Sequence, residues 1–355
     1  MKCIKFDCEK KYIRDFLSLP KKLYTDDNME DEGDVKALLN GTHTMSSYFR
    51  LDKFIIYGKN ETPVGRFAIT TYPDDKTAYI GFFECINDSD TAKFLFDSAY
   101  AFAEKNGYDK IVGPVDASFW IKYRLKINMF DRKPYTGEPY NKDYYYKLFK
   151  ENGYSVQHHY TSNLFKPLDE TYTNELYENR FDEFTKKGYK IISPDIKDFD
   201  NILNDLYYLL TELYSDFPVF KNVEKNDFLK MFDSYRIILN LSMVKLAYYE
   251  EKMVGFFISV PNYNNLVYHL NPLNILKIMK IKKHPAEYVM MYMGVDQNHR
   301  GLGKAIVHSI IEELKVNKLT GIGALARDGK VTQTYGSDKI DSVYEYVLLE
   351  RDINV

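Results

Sequence analysis

A short glycine-containing loop carries the clearest chemical signal in the sequence. It follows an apolar segment that ends at Val295 and precedes an amphipathic segment that begins near Ala305. Glycine lets a backbone turn tightly and approach a ligand closely. The first N–H groups of a helix are unpaired and lie at the positive end of its dipole. Residues 300–305 are therefore predicted to bind an anion, with phosphate or pyrophosphate as the natural ligand.

The loop does not match the two common nucleotide-binding glycine motifs. It lacks the Gly-Lys-Ser/Thr ending of a Walker A loop, and Gly301 and Gly303 do not belong to a Gly-x-Gly-x-x-Gly pattern. A glycine turn that begins a helix and binds no ligand stays open as an alternative. The strand-to-helix setting favours the anion site.

The elements that would position this loop occur twice in the chain. Residues 53–57 and 64–69 predict one β-hairpin, and residues 245–249 and 254–258 predict a second. Each is followed by a strand, a helix and a further strand, the order of a crossover unit with parallel outer strands. These three elements are predicted at residues 78–86, 89–106 and 110–112 in the first copy, and 288–295, 304–317 and 321–326 in the second.

The repeat predicts an α/β fold (α+β, with mixed sheets) of two tandem domains. Each domain is expected to be a mixed, largely antiparallel sheet flanked by helices. The polar stretch 166–187 is the predicted join, so the domains are placed at residues 1–168 and 188–355. An insertion at residues 261–285 is predicted to form a helix or a lid.

Composition narrows the classes of function. The chain has 355 residues, and its hydrophobic fraction of 45% is typical of a globular protein. Its net charge of −3 argues against nucleic acid as the main partner. No segment approaches the ~20 apolar residues of a membrane span, and the start lacks a signal-peptide core, so we expect a cytoplasmic protein without a membrane partner. The 3 cysteines lack zinc-type spacing and predict no metal site.

The loop and its setting resemble the GNAT acyltransferases, the Gcn5-related N-acetyltransferases. Their signature is Arg or Gln, two residues, Gly, one residue, then Gly or Ala, and it is matched by Arg300, Gly303 and Ala305. The order of elements resembles that family from about residue 188 onward. The first half, through Ile111-Val112-Gly113-Pro114 among other segments, resembles tandem proteins with GNAT-like folds. The resemblance covers nearly the whole chain.

The resemblance implies an N-acyltransferase that moves an acetyl or other acyl group from acyl-CoA to a primary amine of a small molecule. The amine would attack the thioester directly in a ternary complex, without a metal. Acetyl-CoA would lie with its pyrophosphate on the loop and its pantetheine beside the preceding strand. The residues implied to bind it are Met293, Val295, Arg300, Gly301, Gly303, Lys304 and Ala305. The oligomeric state is left open.

Direct transfer needs a base for the amine and a donor for the developing oxyanion or thiolate. Glu287 is the candidate base, because strict strand alternation would place it on the face of Met293 and Val295. A solvated strand-end glutamate, with a water chain as the base, is the alternative. Tyr335 is the candidate acid, since GNAT relatives place a tyrosine near the CoA sulfur at this point, and Tyr344 is the second choice.

The first copy departs from the second at the corresponding loop. Residues 86–91 contain no glycine, and their carboxylates, Asp88 and Asp90, would repel a phosphate. We therefore expect one CoA site, in the second domain, with the first domain a degenerate copy that shapes the acceptor side or serves as a scaffold. Two other functions stay open: a transferase that uses aminoacyl-tRNA, and a non-catalytic CoA-binding scaffold.

Overall fold

The chain divides into two units, the first of which is not continuous in sequence. The computed structural model describes residues 1–25, 31–316 and 318–353. Unit 1 comprises Met1–Tyr160 with Glu345–Val355, and unit 2 comprises Thr161–Tyr344. This division differs from the domains predicted at residues 1–168 and 188–355, because residues 349–352, near the end of the chain, pair with residues 110–113 of unit 1.

Unit 1 is built on a mixed sheet with helices packed against it. Its elements, in chain order, are β1 (Lys2–Phe6), α1 (Lys10–Ser18), α2 (Pro20–Leu23), α3 (Glu32–Leu39), β2 (Arg50–Tyr57), β3 (Pro63–Thr71), β4 (Thr77–Cys85), α4 (Ser89–Lys105), β5 (Lys110–Gly113), β6 (Val115–Asp116), β7 (Lys122–Tyr123), β8 (Leu125–Lys126), α5 (Tyr145–Glu151) and the start of β9 (Ser155–Phe165). β1 to β4 pair antiparallel, and β4 runs parallel to β5. The end of β15 (Ile340–Asp352) pairs antiparallel with β5, where Leu349 lies opposite Gly113.

Aromatic side chains form the centre of the core between this sheet and α4. The rings of Phe83 and Phe96 are 5.0 Å apart, and Phe149 lies 4.8 Å from each of them. Burial of each such ring contributes about 1.5–3 kcal/mol. The buried stripe of α4 has the helical spacing that the sequence predicts, since Ala92, Phe96 and Ala99 all face the core.

Unit 2 repeats the order of strands seen in unit 1. Its elements, in chain order, are the end of β9, α6 (Glu175–Lys186), β10 (Lys190–Ile192), α7 (Phe199–Tyr214), α8 (Lys225–Asp233), α9 (Tyr235–Ile238), β11 (Val244–Tyr249), β12 (Lys252–Pro261), α10 (Pro272–Lys283), β13 (Glu287–Val295), α11 (Leu302–Val316), β14 (Thr320–Arg327) and the start of β15. β10 to β13 pair antiparallel, and β13 runs parallel to β14. The predicted fold class, a mixed sheet flanked by helices, is confirmed. The predicted end of α11, Asn317, lies outside the described residues.

The stretch predicted as a join contains a helix. Asn174 caps α6 by accepting a hydrogen bond from the backbone N–H of Tyr177 at 3.3 Å. Tyr177 and Phe184 are buried in the same cluster as the apolar face of α11. The helical spacing of Tyr177, Phe181 and Phe184 is present in the sequence, but the polar residues between them hide it. The stretch predicted as the join between the domains, residues 166–187, thus contains α6, a helix that was not predicted from the sequence.

Candidate active site

The loop between β13 and α11 turns twice before the helix begins. The Asp296 carboxylate accepts a hydrogen bond from Asn298 N at 2.9 Å, and the Asp296 carbonyl accepts one from His299 N, also at 2.9 Å. Gly301 has φ +94°, a value that side chains other than glycine rarely adopt. These turns set the start of α11. The N–H groups of Leu302 and Lys304 donate to the carbonyls of His299 and Gly301, both at 3.2 Å, and the N–H groups beside them lie at the same positive end of the helix dipole.

An aromatic pair holds the loop at its middle. The Tyr189 hydroxyl is 2.6 Å from Nδ1 of His299, and the rings of Tyr189 and Tyr249 stack at 4.4 Å. His299 is thus held by the residue that immediately precedes β10, and this contact fixes the middle of the loop. This contact joins distant parts of the sequence, so the loop pattern alone does not reveal it.

Two cations stand at the start of α11 without a carboxylate partner. Arg300 is exposed and Lys304 partly exposed, and within residues 161–316 and 318–344 neither makes an ion pair. The Arg180 side chain, which the sequence analysis did not single out, also lies close: a Cβ on Gly301 would be 3.8 Å from its Cζ. Arg180 pairs with Glu183 at 2.6 Å, so part of its charge is neutralised. Positive charge beside a helix start favours an anion.

A gap opens between β13 and β14 beside this helix start. The two strands are paired from Glu287 and Thr320 to Met290 and Gly323. Both continue beyond that point, to Val295 and Arg327, and no ladder pairing joins them there within the described part of the strands. Leu325 has φ +56°, which bends β14 within this unpaired part. We call the opening between the unpaired parts of β13 and β14 the wedge; its two sides are the facing edges of these strands.

A β-bulge reverses the faces of β13 along its length. Ser259 of β12 lies opposite Met290, and Ile258 lies opposite Tyr292, so Met291 is an extra residue. Met290 and Met293 consequently both pack toward α11, although they are an odd number of residues apart. The prediction that Glu287 shares a face with Met293 and Val295 is wrong, because the bulge shifts the alternation by one residue.

The structure brings Tyr335 to the glycine loop. A Cβ on Gly303 would overlap the Tyr335 hydroxyl and would lie 3.2 Å from Cε of Met293. The glycine is therefore needed to admit this ring over the first turn of α11. The Tyr335 ring also meets Tyr177 edge to face at 6.4 Å. Burial, followed by the nearby Tyr177, raises the pKa of Tyr335 to about 12, so the phenol is protonated at neutral pH.

Glu287 lies at the far end of β13 from this group. Its Oε1 accepts a hydrogen bond from Nδ2 of Asn262 at 2.6 Å, and its carbonyl accepts one from the backbone N–H of Asn262 at 2.8 Å. Six residues of strand separate it from Met293, or about 20 Å at the usual rise. The structure thus gathers Met293, Gly303 and Tyr335 in one place and does not bring Glu287 to them.

The remaining predicted residues line the same corner of unit 2. Val295 and Lys304 are partly buried, Gly301 is partly exposed, and Ala305 is fully buried against the core under α11. On the other face of β13, Tyr292 borders an apolar cavity beneath α7 of about 40 Å³. Tyr344, the second choice for the acid, is buried.

Known structures share this architecture. No protein-family profile matches the sequence, and the comparison with curated proteins finds no match. A tandem GNAT protein from the clavulanic acid biosynthesis pathway aligns with 100% of this chain and 99% of its own, at a TM-score of 0.53 and 10% identity. The chain has the tandem GNAT fold. A GCN5-related N-acetyltransferase from Anabaena variabilis aligns with 99% of this chain and 73% of its own, at a TM-score of 0.52 and 10% identity.

A third structure with the GNAT fold is part of a larger protein. It is the GCN5-related glucosamine N-acetyltransferase region of a fungal multi-domain β-N-acetylglucosaminidase, with a TM-score of 0.53 and 11% identity. The alignment covers 98% of this chain and 38% of the fungal chain, so this chain spans less than half of that protein's length. At these identities the comparisons describe the fold.

The GNAT-like unit 1 has filled the place where unit 2 has its wedge. β6 follows β5 and approaches β4 so closely that a Cβ on Gly81 would overlap the Val115 carbonyl. The Asp116 carboxylate accepts a hydrogen bond from Phe82 N at 2.5 Å, at the bulge of β4, and pairs with Lys122 at 2.7 Å. The backbone N–H of Phe82 at this bulge is therefore already hydrogen-bonded within the chain.

The helix that follows β4 also begins differently from α11. Asp88 caps α4 by accepting a hydrogen bond from Thr91 N at 2.7 Å, and these bonds to Thr91 lower the pKa of the Asp88 carboxyl. A carboxylate therefore already occupies the start of α4. Among the described residues, no group of His, Cys, Asp and Glu could hold a metal ion, and no helix is long and apolar enough to cross a bilayer.

Proposed function

We propose that the protein is an N-acyltransferase that moves an acetyl or other acyl group from acyl-CoA to the primary amine of a small molecule. The observation that carries the proposal is the wedge between β13 and β14, which opens beside the start of α11. A thin, extended ligand fits between strand edges, and an anionic group suits the helix start. Acyl-CoA combines both features in one molecule.

The loop offers the groups that a pyrophosphate needs. In this proposal it is bound by backbone N–H groups within residues 300–305 other than those of Leu302 and Lys304, which already donate to backbone carbonyls. Arg300 and the Lys304 side chain supply positive charge. The pantetheine arm lies along β13, beside Met293 and Val295. The absence of a carboxylate partner for either cation within the described part of unit 2 supports this assignment, because the two charges remain available to a ligand.

Tyr335 is the proposed donor to the leaving sulfur. Its pKa of about 12 lies above the ~8.5 typical of a thiol, so complete transfer of its proton to a thiolate is unfavourable. We infer that the hydroxyl acts as a hydrogen-bond donor that stabilises the developing charge. Tyr335 lies close to both Gly303 and Met293, so it stands beside the point where the pantetheine arm would leave the pyrophosphate and enter the wedge along β13.

The base is the less defined part of the proposal. Glu287 is about 20 Å of strand away from Met293, so it could accept the amine proton only through a chain of waters. Replacement of Glu287 by Gln tests that role, because it removes the basic group and retains the hydrogen-bonding shape. The distance of Glu287 from Met293 also favours a second candidate function, a CoA-binding scaffold without catalysis. A measurement of turnover decides between the two functions.

The role of unit 1 in the proposal follows from the contacts of Asp116 at the bulge of β4. The contacts of Asp116 and the carboxylate cap of α4 leave no equivalent CoA site there, so we propose a degenerate domain that serves the acceptor side or acts as a scaffold. The net charge of −3 supports a small amine over tRNA as partner.

Calorimetric titration of acetyl-CoA tests the proposal. We expect micromolar binding to the wild type, about −8 kcal/mol, and at least a tenfold loss, about 1.4 kcal/mol, in Lys304→Glu. The matched control is Lys283→Glu. Lys283 is exposed at the C-terminal end of α10, which precedes the end of β13 that is distant from the glycine loop. Equal affinities in the two variants, or no binding by folded wild type, would reject the site.

Turnover is then measured as release of free CoA thiol over a panel of primary amines. Release that depends on an amine and falls in Tyr335→Phe supports the acyltransferase. Binding of acetyl-CoA without release for any amine supports the scaffold.

A further inference from the structure

The insertion between β12 and β13 exposes an unusual number of apolar side chains. Thirteen large hydrophobic residues of the described chain are exposed, and five of them lie within ten consecutive residues. They are Leu270, Leu273, Ile275, Leu276 and Met279, with exposed fractions of 68, 71, 45, 65 and 64%. We call these five residues and the lysines of α10 the α10 surface. An exposed apolar cluster of this kind usually marks an interaction site.

The same segment is basic in a chain that is slightly acidic. Residues 261–286 contain no Asp or Glu and four lysines, a formal charge of +4, whereas the whole chain carries −3. Within the described part of unit 2, Lys277, Lys280 and Lys283 make no ion pair. The remainder of the chain therefore carries −7, so the positive charge is concentrated at this surface.

The helix itself is firmly held, so its outer face is a defined surface. Asn271 caps α10 by accepting a hydrogen bond from Asn274 N at 2.9 Å. Ile278 is buried beneath the helix, with 5% of its surface exposed. Lys282 donates to the carbonyl of Ile237 at 2.6 Å, and Ile237, itself 70% exposed, extends the apolar surface.

Lysines and apolar residues alternate around the outer face. At 100° per residue, Lys283 and Lys280 fall on either side of Leu276, on the side of the helix opposite Ile278. A protein groove deep enough to bury Leu276 would also bury these lysines, and lysine is depleted in protein interfaces because its desolvation is costly. At a lipid surface the same arrangement is favourable, because apolar side chains enter the acyl region while lysines extend to the headgroups.

We propose that the α10 surface binds anionic lipid bilayers, with the helix lying in the interfacial plane. The helix is about 18 Å long, which suits attachment to one leaflet. The inference revises the sequence-based expectation of a protein without a membrane partner. It does not depend on the proposed acyl transfer, because it rests on exposure and charge outside the glycine loop.

Vesicle sedimentation with the full chain tests the proposal. The probes are phosphatidylcholine vesicles with and without phosphatidylserine. We expect binding to the anionic vesicles only, falling as salt rises. Replacement of Lys277, Lys280 and Lys283 by Gln is expected to lower the partition coefficient about a hundredfold. Leu276→Glu is expected to lower it at least about tenfold, because a charge enters the apolar contact.

The matched control is Leu176→Glu, another exposed leucine on a helix of unit 2, with 49% of its surface exposed. It is expected to bind as the wild type does. Equal binding to neutral and anionic vesicles, no binding to either, or equal losses in Leu176→Glu and Leu276→Glu would overturn the proposal. A dimer in sedimentation velocity that Leu276→Glu dissociates would also overturn it, since a second copy would then cover the surface.

Discussion

The contact between Gly303 and Tyr335 leads to a prediction whose sign depends on one hydroxyl group. A Cβ on Gly303 would overlap the Tyr335 hydroxyl but would lie 3.5 Å from Cζ of the same ring, an ordinary contact. Gly303→Ala is therefore overpacked in the wild type, which costs about 1–3 kcal/mol. The better helix propensity of alanine recovers up to about 1 kcal/mol. The net expected loss is about 1–2 kcal/mol.

The same substitution should become stabilising when the hydroxyl is absent. In Tyr335→Phe the added methyl group meets only ring carbon and the flexible Met293. The gain in helix propensity and the loss of unfolded-state freedom then remain without the clash. The double-mutant cycle should give a coupling of about 1–3 kcal/mol, outside the usual range for independent sites.

Thermal unfolding of the four proteins measures this cycle. For a unit of this size, about 1 kcal/mol shifts Tm by about 2–4 °C, so Gly303→Ala should melt about 2–8 °C below wild type. Gly303→Ala in the Tyr335→Phe background should melt at or above Tyr335→Phe. If Gly303→Ala costs the same in both backgrounds, the Tyr335 ring does not lie over the first turn of α11.

Three other contacts lead to expectations of their own. Because burial raises the pKa of Tyr335 to about 12, its hydroxyl stays protonated below pH 10, so wild type and Tyr335→Phe should show the same basic limb of the rate profile below that pH. Asp116→Ala leaves the buried N–H of Phe82 without its acceptor, so the free energy of unfolding in urea should fall by about 1–3 kcal/mol. The affinity for acetyl-CoA should not change; a tenfold change in affinity would place the ligand in unit 1 instead. Glu138→Ala removes the carboxylate that pairs with the fully buried Lys126 at 2.8 Å and should cost about 3–5 kcal/mol in urea unfolding. A loss below about 1 kcal/mol would show that this pair is hydrated.

Elements with a local pattern could be predicted closely. The helix predicted at residues 304–317 is observed at Leu302–Val316, and the strand predicted at 288–295 is observed at Glu287–Val295. Their signals are the period of apolar residues and the glycines between them, which depend on neighbours along the chain. α6 was missed because its three aromatic residues, which have helical spacing, are separated by polar and charged ones.

The location of the candidate base could not be predicted in the same way. Strand alternation places Glu287 on the face of Met293 only if the strand is regular, and one extra residue at Met291 reverses that relation. Whether a bulge forms depends on how β12 and β13 pair, which involves residues far apart in sequence.

The sequence by itself determined the repeat, the mixed-sheet fold class, the glycine loop and the helix that follows it, because each is a matter of composition and spacing over a few residues. The tertiary structure alone decided which of these features meet. It placed Tyr335 over Gly303, opened the wedge between β13 and β14, filled the equivalent place in unit 1 with Asp116, and paired the end of β15 with unit 1. These outcomes depend on pairing and packing between distant segments, whose free energies are set by shape and burial and are not encoded in any local pattern.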